Sequence, residues 1–153
     1  MAQKELDRVD RDILRLIAGD ASLSLAEIAE KIGLTPTPCW KRIRRMEEAG
    51  IINGRIAKID PVKVGLPVSA FVAVETADHS ADWLRRFADV VRDTPEIVDA
   101  WRMSGDVDYL LHVVVPDISA YDAFYRKLIA AVPLRNVTSR FSMERLKDAP
   151  LPI

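Results

Sequence analysis

The sequence predicts an α+β chain made of two small domains. Helical apolar periodicity is confined to the segment before Gly50, and from Pro67 onward short apolar runs alternate with amphipathic helices. Between them lies "DPVKVGLP" (60–67), a connector with two prolines and a glycine. A length of 153 residues accommodates two such domains, and 49% hydrophobic residues supply a core for each. The expected division is 1–59, a linker 60–67, and 68–153.

The first helix spans 7–18, where Val9, Ile13, Leu16 and Ile17 recur with a 3.6-residue period and Gly19-Asp20 ends the run. The second spans 25–32. Ser24 and Glu27 stand at capping-box spacing, Leu25, Ile28, Ala29 and Ile32 form the buried stripe, and Gly33 sits where a left-handed cap is wanted. The third helix follows at once: Thr35 can cap it, Pro36 suits its first position, and Pro38 is still within the first turn. On this helix Cys39, Ile43 and Met46 share the buried face. Thr37, Lys41, Arg45 and Glu48 point the other way, Arg42 and Arg44 flank them, and Gly50 stops the helix.

Two short helices joined by a tight glycine-containing turn make a helix-turn-helix, whose second helix enters the major groove of DNA with its N-terminal residues at base edges. The charge distribution agrees. Net charge is −1, yet residues 36–58 hold six basic and two acidic residues, whereas 61–153 hold 11 basic and 13 acidic. Thr37, Trp40, Lys41 and Arg44 lie at the N-terminal end of the third helix, beside Arg42 and Arg45. Ser24 and Thr35 stand at helix starts, where free N–H groups attract phosphate, and Arg55 follows the Asn53-Gly54 turn. These nine residues are the candidate DNA contacts. Charged helix faces commonly just meet water, and a tryptophan beside a buried stripe more often packs than reads bases. Cys39 is read as a small core residue. "IINGRIAKID" (51–60) is either a winged-like hairpin or, in the favoured reading, the strand that leaves the domain.

After the linker come strand 68–76, helix 80–93, strand 97–104, strand 107–116, helix 118–132 and strand 137–146, an order of βαββαβ, the ferredoxin-like unit. In that unit the first and third strands are central, and 68–76 and 107–116 are the nearly continuous apolar runs. The other two carry Asp99, Arg102, Arg140 and Arg145, as edges do. Two helices cover one sheet face. The other face, with Leu110, His112 and Val114, is left for a partner, most economically a second copy related by a two-fold axis.

The chain lacks the marks of several other classes. A single cysteine forms no intrachain disulfide, the N-terminus has no apolar signal core, and no apolar run approaches membrane-spanning length. A cytoplasmic protein without a membrane partner is expected. Two histidines, His79 and His112, with no Cys/His cluster or glycine-rich phosphate loop, give no metal site, no cofactor and no catalytic constellation, so no enzyme is expected.

"LTPTPCWKRIRRMEEAGII", "SGDVDYLLHVVVPD" and "RFSMERLK" together resemble the leucine-responsive/asparagine-responsive (Lrp/AsnC) family of bacterial and archaeal transcription regulators, over roughly residues 5–148. The resemblance implies a sequence-specific regulator of double-stranded promoter DNA, and homodimers that assemble further, commonly as a ring of four dimers, an octamer. It also implies an amino-acid effector held between dimers near the turn between the second and third strands. The matching residues are Met103, Ser104, Gly105, Asp106, Asp108 and Tyr109, with Thr138, Ser139, Arg140 and Phe141 on the last strand. Backbone N–H groups around Gly105 suit a carboxylate there, and Asp106 or Asp108 an ammonium. Trp40 and Arg140 depart from the family's usual pattern. Haem-biosynthetic decarboxylases of the same fold, acting on a tetrapyrrole, and an effector-free DNA-bridging protein are the alternatives.

Overall fold

The computed structural model describes residues 5–153 and divides into two compact units, one of residues up to 58 together with 146–153, the other of residues 59–145. The first unit is built on α1 (Arg8–Gly19), α2 (Leu25–Lys31) and α3 (Pro36–Glu48). Ile13, Leu14, Ile17, Ile28, Ala29, Cys39, Ile43 and Met46 form its core. Each start has a local cause. Asp7 and Asp10 cap α1 reciprocally and Ser24 and Glu27 do the same for α2, whereas Thr35 makes no side-chain cap bond and Pro36 opens α3. Gly33 and Gly50 end α2 and α3 with φ of 68° at each, a conformation that a side chain resists.

Two expectations fail here. Residues 51–59 pair with nothing as a strand, so neither a hairpin nor an exit strand forms there, and the segment is irregular and largely exposed. The chain's last eight described residues also join the first unit, not the second. Ile153 packs on the helical core and its carbonyl accepts from Arg15 Nε, while Lys58 pairs with Asp148.

The second unit contains β1 (Val68–Glu75), α4 (Ala81–Asp93), β2 (Ile97–Arg102), β3 (Tyr109–Val115), α5 (Ile118–Ala131) and β4 (Asn136–Phe141). Its antiparallel sheet has the order β2-β3-β1-β4, with the two apolar strands in the centre. β4 is shorter than expected: it stops at Phe141, and Arg145 lies beyond it. On the covered face Val72, Val74, Leu111, Val113 and Val115 meet Trp83 and Phe87 from α4 and Tyr121, Phe124 and Leu128 from α5. Leu84 on α4 and Ile118 and Ile129 on α5 remain exposed. Trp83 stacks on Phe87 at 4.9 Å, Phe87 meets Tyr109 at 4.6 Å, and Trp83 Nε1 donates to Pro133 O at 2.8 Å, so the indole is buried with its polar edge satisfied.

The opposite face carries Phe71, Trp101, Leu110 and Val114 around His112. Phe71 stacks on His112 at 4.8 Å, Ser69 Oγ lies 2.8 Å from His112 Nε2, and Asp99 Oδ2 is 3.7 Å from His112 Nδ1. Register places Asp99, His112, Phe71 and Arg140 in one row across all four strands.

Candidate DNA interface and effector cleft

The turn between α2 and α3 is fixed by backbone bonds, Gly33 N to Glu30 O at 3.1 Å and Leu34 N to Ala29 O at 2.9 Å. It sets α3 with one side on the core and another against α1. Asp10 decides the second contact. It falls in the apolar stripe of α1, with Leu14 and Ile17, and is only 1% exposed. A buried carboxylate needs cations and hydrogen bonds. Arg42 Nη1 supplies one at 2.8 Å while also reaching Asp7 Oδ2 at 2.6 Å, and Arg45 Nη2 supplies another at 2.5 Å. The Asp10 amide and Arg42 hold the Asp7 carboxyl below its usual range, and Asp7 and Asp10 push the Arg42 guanidinium up.

Arg45 is therefore turned toward α1, contrary to its expected outward direction, because Asp10 binds it and Arg42, one turn apart, together. Thr35, Thr37, Trp40, Lys41 and Arg44 are exposed. Lys41 enters no ion pair among the described residues, and Arg44 makes a surface pair with Glu48 at 3.2 Å, which holds it only weakly. Trp40 is 52% exposed and, with Leu23, Leu25, Arg44 and Arg55, borders a hollow of about 200 Å³ beside α3. Ser24 is exposed, but its hydroxyl is engaged with Glu27.

In the second unit the β2–β3 turn is closed by Met103 N to Asp108 O at 2.8 Å, and Gly105 occupies the left-handed region at φ 106°. Asp108 is pinned: its N–H donates to Val74 O at 3.1 Å, and its Oδ2 accepts from Thr76 N at 2.8 Å. The turn thereby forms one side of an open cleft of about 350 Å³, lined by Glu75, Thr76, His79, Gly105, Asp106, Asp108 and Arg135. Arg135 is brought there because β4 pairs with β1, with Arg135 N donating to Glu75 O at 2.8 Å and Asn136 Nδ2 to Glu75 Oε1 at 2.9 Å.

Of the expected effector residues, Gly105, Asp106 and Asp108 meet in this cleft. Met103 and Ser104 are exposed on the turn but do not line it, and Tyr109 packs with Trp83 and Phe87. The β4 group divides. Ser139 bonds to the Tyr121 hydroxyl and Phe141 packs edge-on to Tyr121 at 4.8 Å, while Arg140 belongs to the row on the open face and Thr138 shares its side of the strand. Alternation along a strand sends neighbours to opposite faces, so residues 138–141 are shared between the two faces of the sheet. The sequence does not single out Glu75, Thr76 or Arg135, and His79 stands out in it only as one of two histidines. Glu75, Thr76 and His79 are close along the chain, but Arg135 joins them only through the β1–β4 register, which no local spacing encodes.

Residues 6–53 match a winged helix-turn-helix DNA-binding family model, and residues 69–152 match the Lrp/AsnC ligand-binding domain. The chain belongs to the Lrp/AsnC family. It is 48% identical over 143 residues to the DNA-binding transcriptional activator DecR of Escherichia coli K12, an alignment covering 93% of this chain and 94% of that one. A crystal structure of an AsnC family transcriptional regulator from Agrobacterium tumefaciens superposes with a TM-score of 0.91 at 55% identity, covering 96% of this chain and 97% of the other. A transcriptional regulator from Neisseria meningitidis, solved in complex with L-Met, reaches the same TM-score at 30% identity, over 97% of both chains. This Lrp/AsnC protein is a DNA-binding transcriptional regulator, and the comparisons do not favour the tetrapyrrole decarboxylase alternative. Among its described residues no helix is long and apolar enough to cross a membrane, and no group of three His, Cys, Asp or Glu residues could hold a metal.

Proposed function

We propose that α3 enters the major groove of promoter DNA and presents Thr37, Trp40, Lys41 and Arg44, with Thr35 and Arg55 nearby. In this reading Arg42 and Arg45 serve mainly as struts that hold α3 at its angle to α1. What supports it is the division of labour on one helix. Asp10 engages Arg42 and Arg45, while Arg44 is weakly held and Lys41 has no ion-pair partner among the described residues. The effector is an amino acid bound in the cleft beside Gly105, in line with the L-Met bound by the Neisseria regulator. Its binding favours one assembly state and so the spacing of paired α3 helices. The protein works in the cytoplasm as a non-enzymatic regulator.

The assembly starts from a dimer formed through the open sheet face. The row Asp99–His112–Phe71–Arg140 supports this because it is self-complementary. A two-fold axis parallel to the strands lays β2 of one copy over β4 of the other. Asp99 then meets Arg140 and His112 meets Phe71, twice over. An axis across the strands would set like charges together. Further association, up to an octamer, follows from the family resemblance.

The test is promoter affinity measured by fluorescence anisotropy across a salt series. Lys41→Ala with Arg44→Ala should weaken binding and flatten the salt slope by about one unit for each phosphate no longer neutralised, with the melting temperature unchanged. Unaltered affinity would assign DNA binding to a different surface.

A further inference from the structure

The cleft beside the β2–β3 turn has a composition that restricts what it can hold. Its side chains contribute three carboxylates, Glu75, Asp106 and Asp108, one guanidinium, Arg135, one imidazole, His79, and a threonine. Among the described residues no aliphatic or aromatic hydrocarbon side chain lines it. Its volume of about 350 Å³ suits a small molecule. Two of the carboxylates are half-engaged: Thr76 N occupies Asp108 Oδ2 and the Asn136 amide occupies Glu75 Oε1, leaving the other oxygen of each for a ligand. Arg135 enters no ion pair among the described residues although these carboxylates share its cleft. A separated cation and anions are what a zwitterion requires, and here the anions outnumber the cation.

We propose that this cleft selects an amino acid with a positively charged side chain; the proposal rests on the reading of the cleft as the effector site. Arg135, with the backbone around Gly105, takes the α-carboxylate. One carboxylate then answers the α-ammonium, and those remaining answer the side-chain cation. An aliphatic side chain would displace water from carboxylates and return no hydrogen bond. An acidic side chain would add a charge of the sign already in excess.

Isothermal titration calorimetry on the full chain with L-lysine, L-arginine, L-leucine and L-glutamate decides the matter. L-Lysine or L-arginine should bind at least about tenfold more tightly than L-leucine, and L-glutamate more weakly still. Asp106→Asn should erase most of that preference, and Arg135→Ala should weaken all four ligands alike. Unliganded melting temperatures serve as the control for folding. If L-leucine or L-glutamate binds as tightly as L-lysine but binding still needs Arg135, the class is wrong and the effector site stands. If binding ignores both substitutions, or none of the four binds, the effector-site reading fails and the proposal fails with it.

Discussion

The two units solve one problem, fixing helices at set angles, by different means. In the first, a carboxylate in the apolar stripe of α1 grips two guanidiniums of α3. In the second, α4 is held by stacked rings, with Trp83 on Phe87 and Phe87 on Tyr109. Rings contribute large apolar area but tolerate small shifts, whereas a charge-assisted network is directional and fails when one member is removed. A helix that must meet a groove at one angle benefits from the directional fastening, and a scaffold that must only persist does not need it.

The largest expected effect tests the ring side of this comparison. Trp83→Ala removes a fully buried indole and should cost about 3–5 kcal/mol, read as a lower urea midpoint. Promoter affinity of the molecules that remain folded should stay the same, because the indole takes no part in fixing α3. Asp10→Ala should cost less, about 2–3 kcal/mol. It leaves two guanidiniums without their carboxylate, but Arg42 and Arg45 are 28% and 37% exposed and partly regain water. Its signature is the combination of lower stability and lower DNA affinity. If Asp10→Ala destabilised the protein yet bound DNA normally, the ion cluster would be mere glue and the comparison would lose its point.

This contrast was half-legible in the sequence. The helices and strands followed from apolar periodicity, and the strand order from which runs were continuously apolar. Asp10 was also there to be read: it lies in register with Leu14 and Ile17, and an acid in an apolar stripe demands a cationic partner. The partners were not readable, because Arg42 and Arg45 flank the buried face of α3 and only the packing of α3 on α1 says which way they turn. The cleft was less legible still. Gly105 and Asp106 announced a turn, but Arg135 and Glu75 meet through a strand register set by distant residues. The return of residues 146–153 to the first unit had no local signal, since "KDAPLPI" carries neither period.

Cys39 gives a sharper local reading of the first unit. Burial pushes its thiol up, so little thiolate exists near neutral pH, and the side chain is fully enclosed. Reaction with Ellman's reagent at about pH 7.5, below the thiol's own range, should be negligible in the native protein and complete in denaturant. In Asp10→Ala the rate should rise in proportion to the opening of α3. A rate set only by global unfolding would show that α3 does not loosen independently when the ion cluster goes.

The smallest effect concerns acid. Asp7, Asp20 and Glu27 in the first unit are held below their usual values: Asp7 chiefly by the Asp10 amide, Asp20 and Glu27 chiefly by the hydroxyls of Ser22 and Ser24. In the second unit Asp78 is lowered by the Ser80 amide. A depressed carboxyl stabilises the fold above its unfolded pKa, and that contribution disappears as pH falls through the folded value. The decline therefore begins below about pH 4.5 for Glu27 and below about pH 3.8 for the aspartates. Since three of these groups sit at the helix starts and turns of the first unit, its opening should be the more acid-sensitive. Amide exchange resolved by segment at about pH 6 and about pH 3, on either side of that window and corrected for the intrinsic rates, should show protection falling more in α1 and α2 than in β3. Equal declines would mean that the capping carboxylates are too exposed to matter and that acid acts on both units through the net charge of the whole chain.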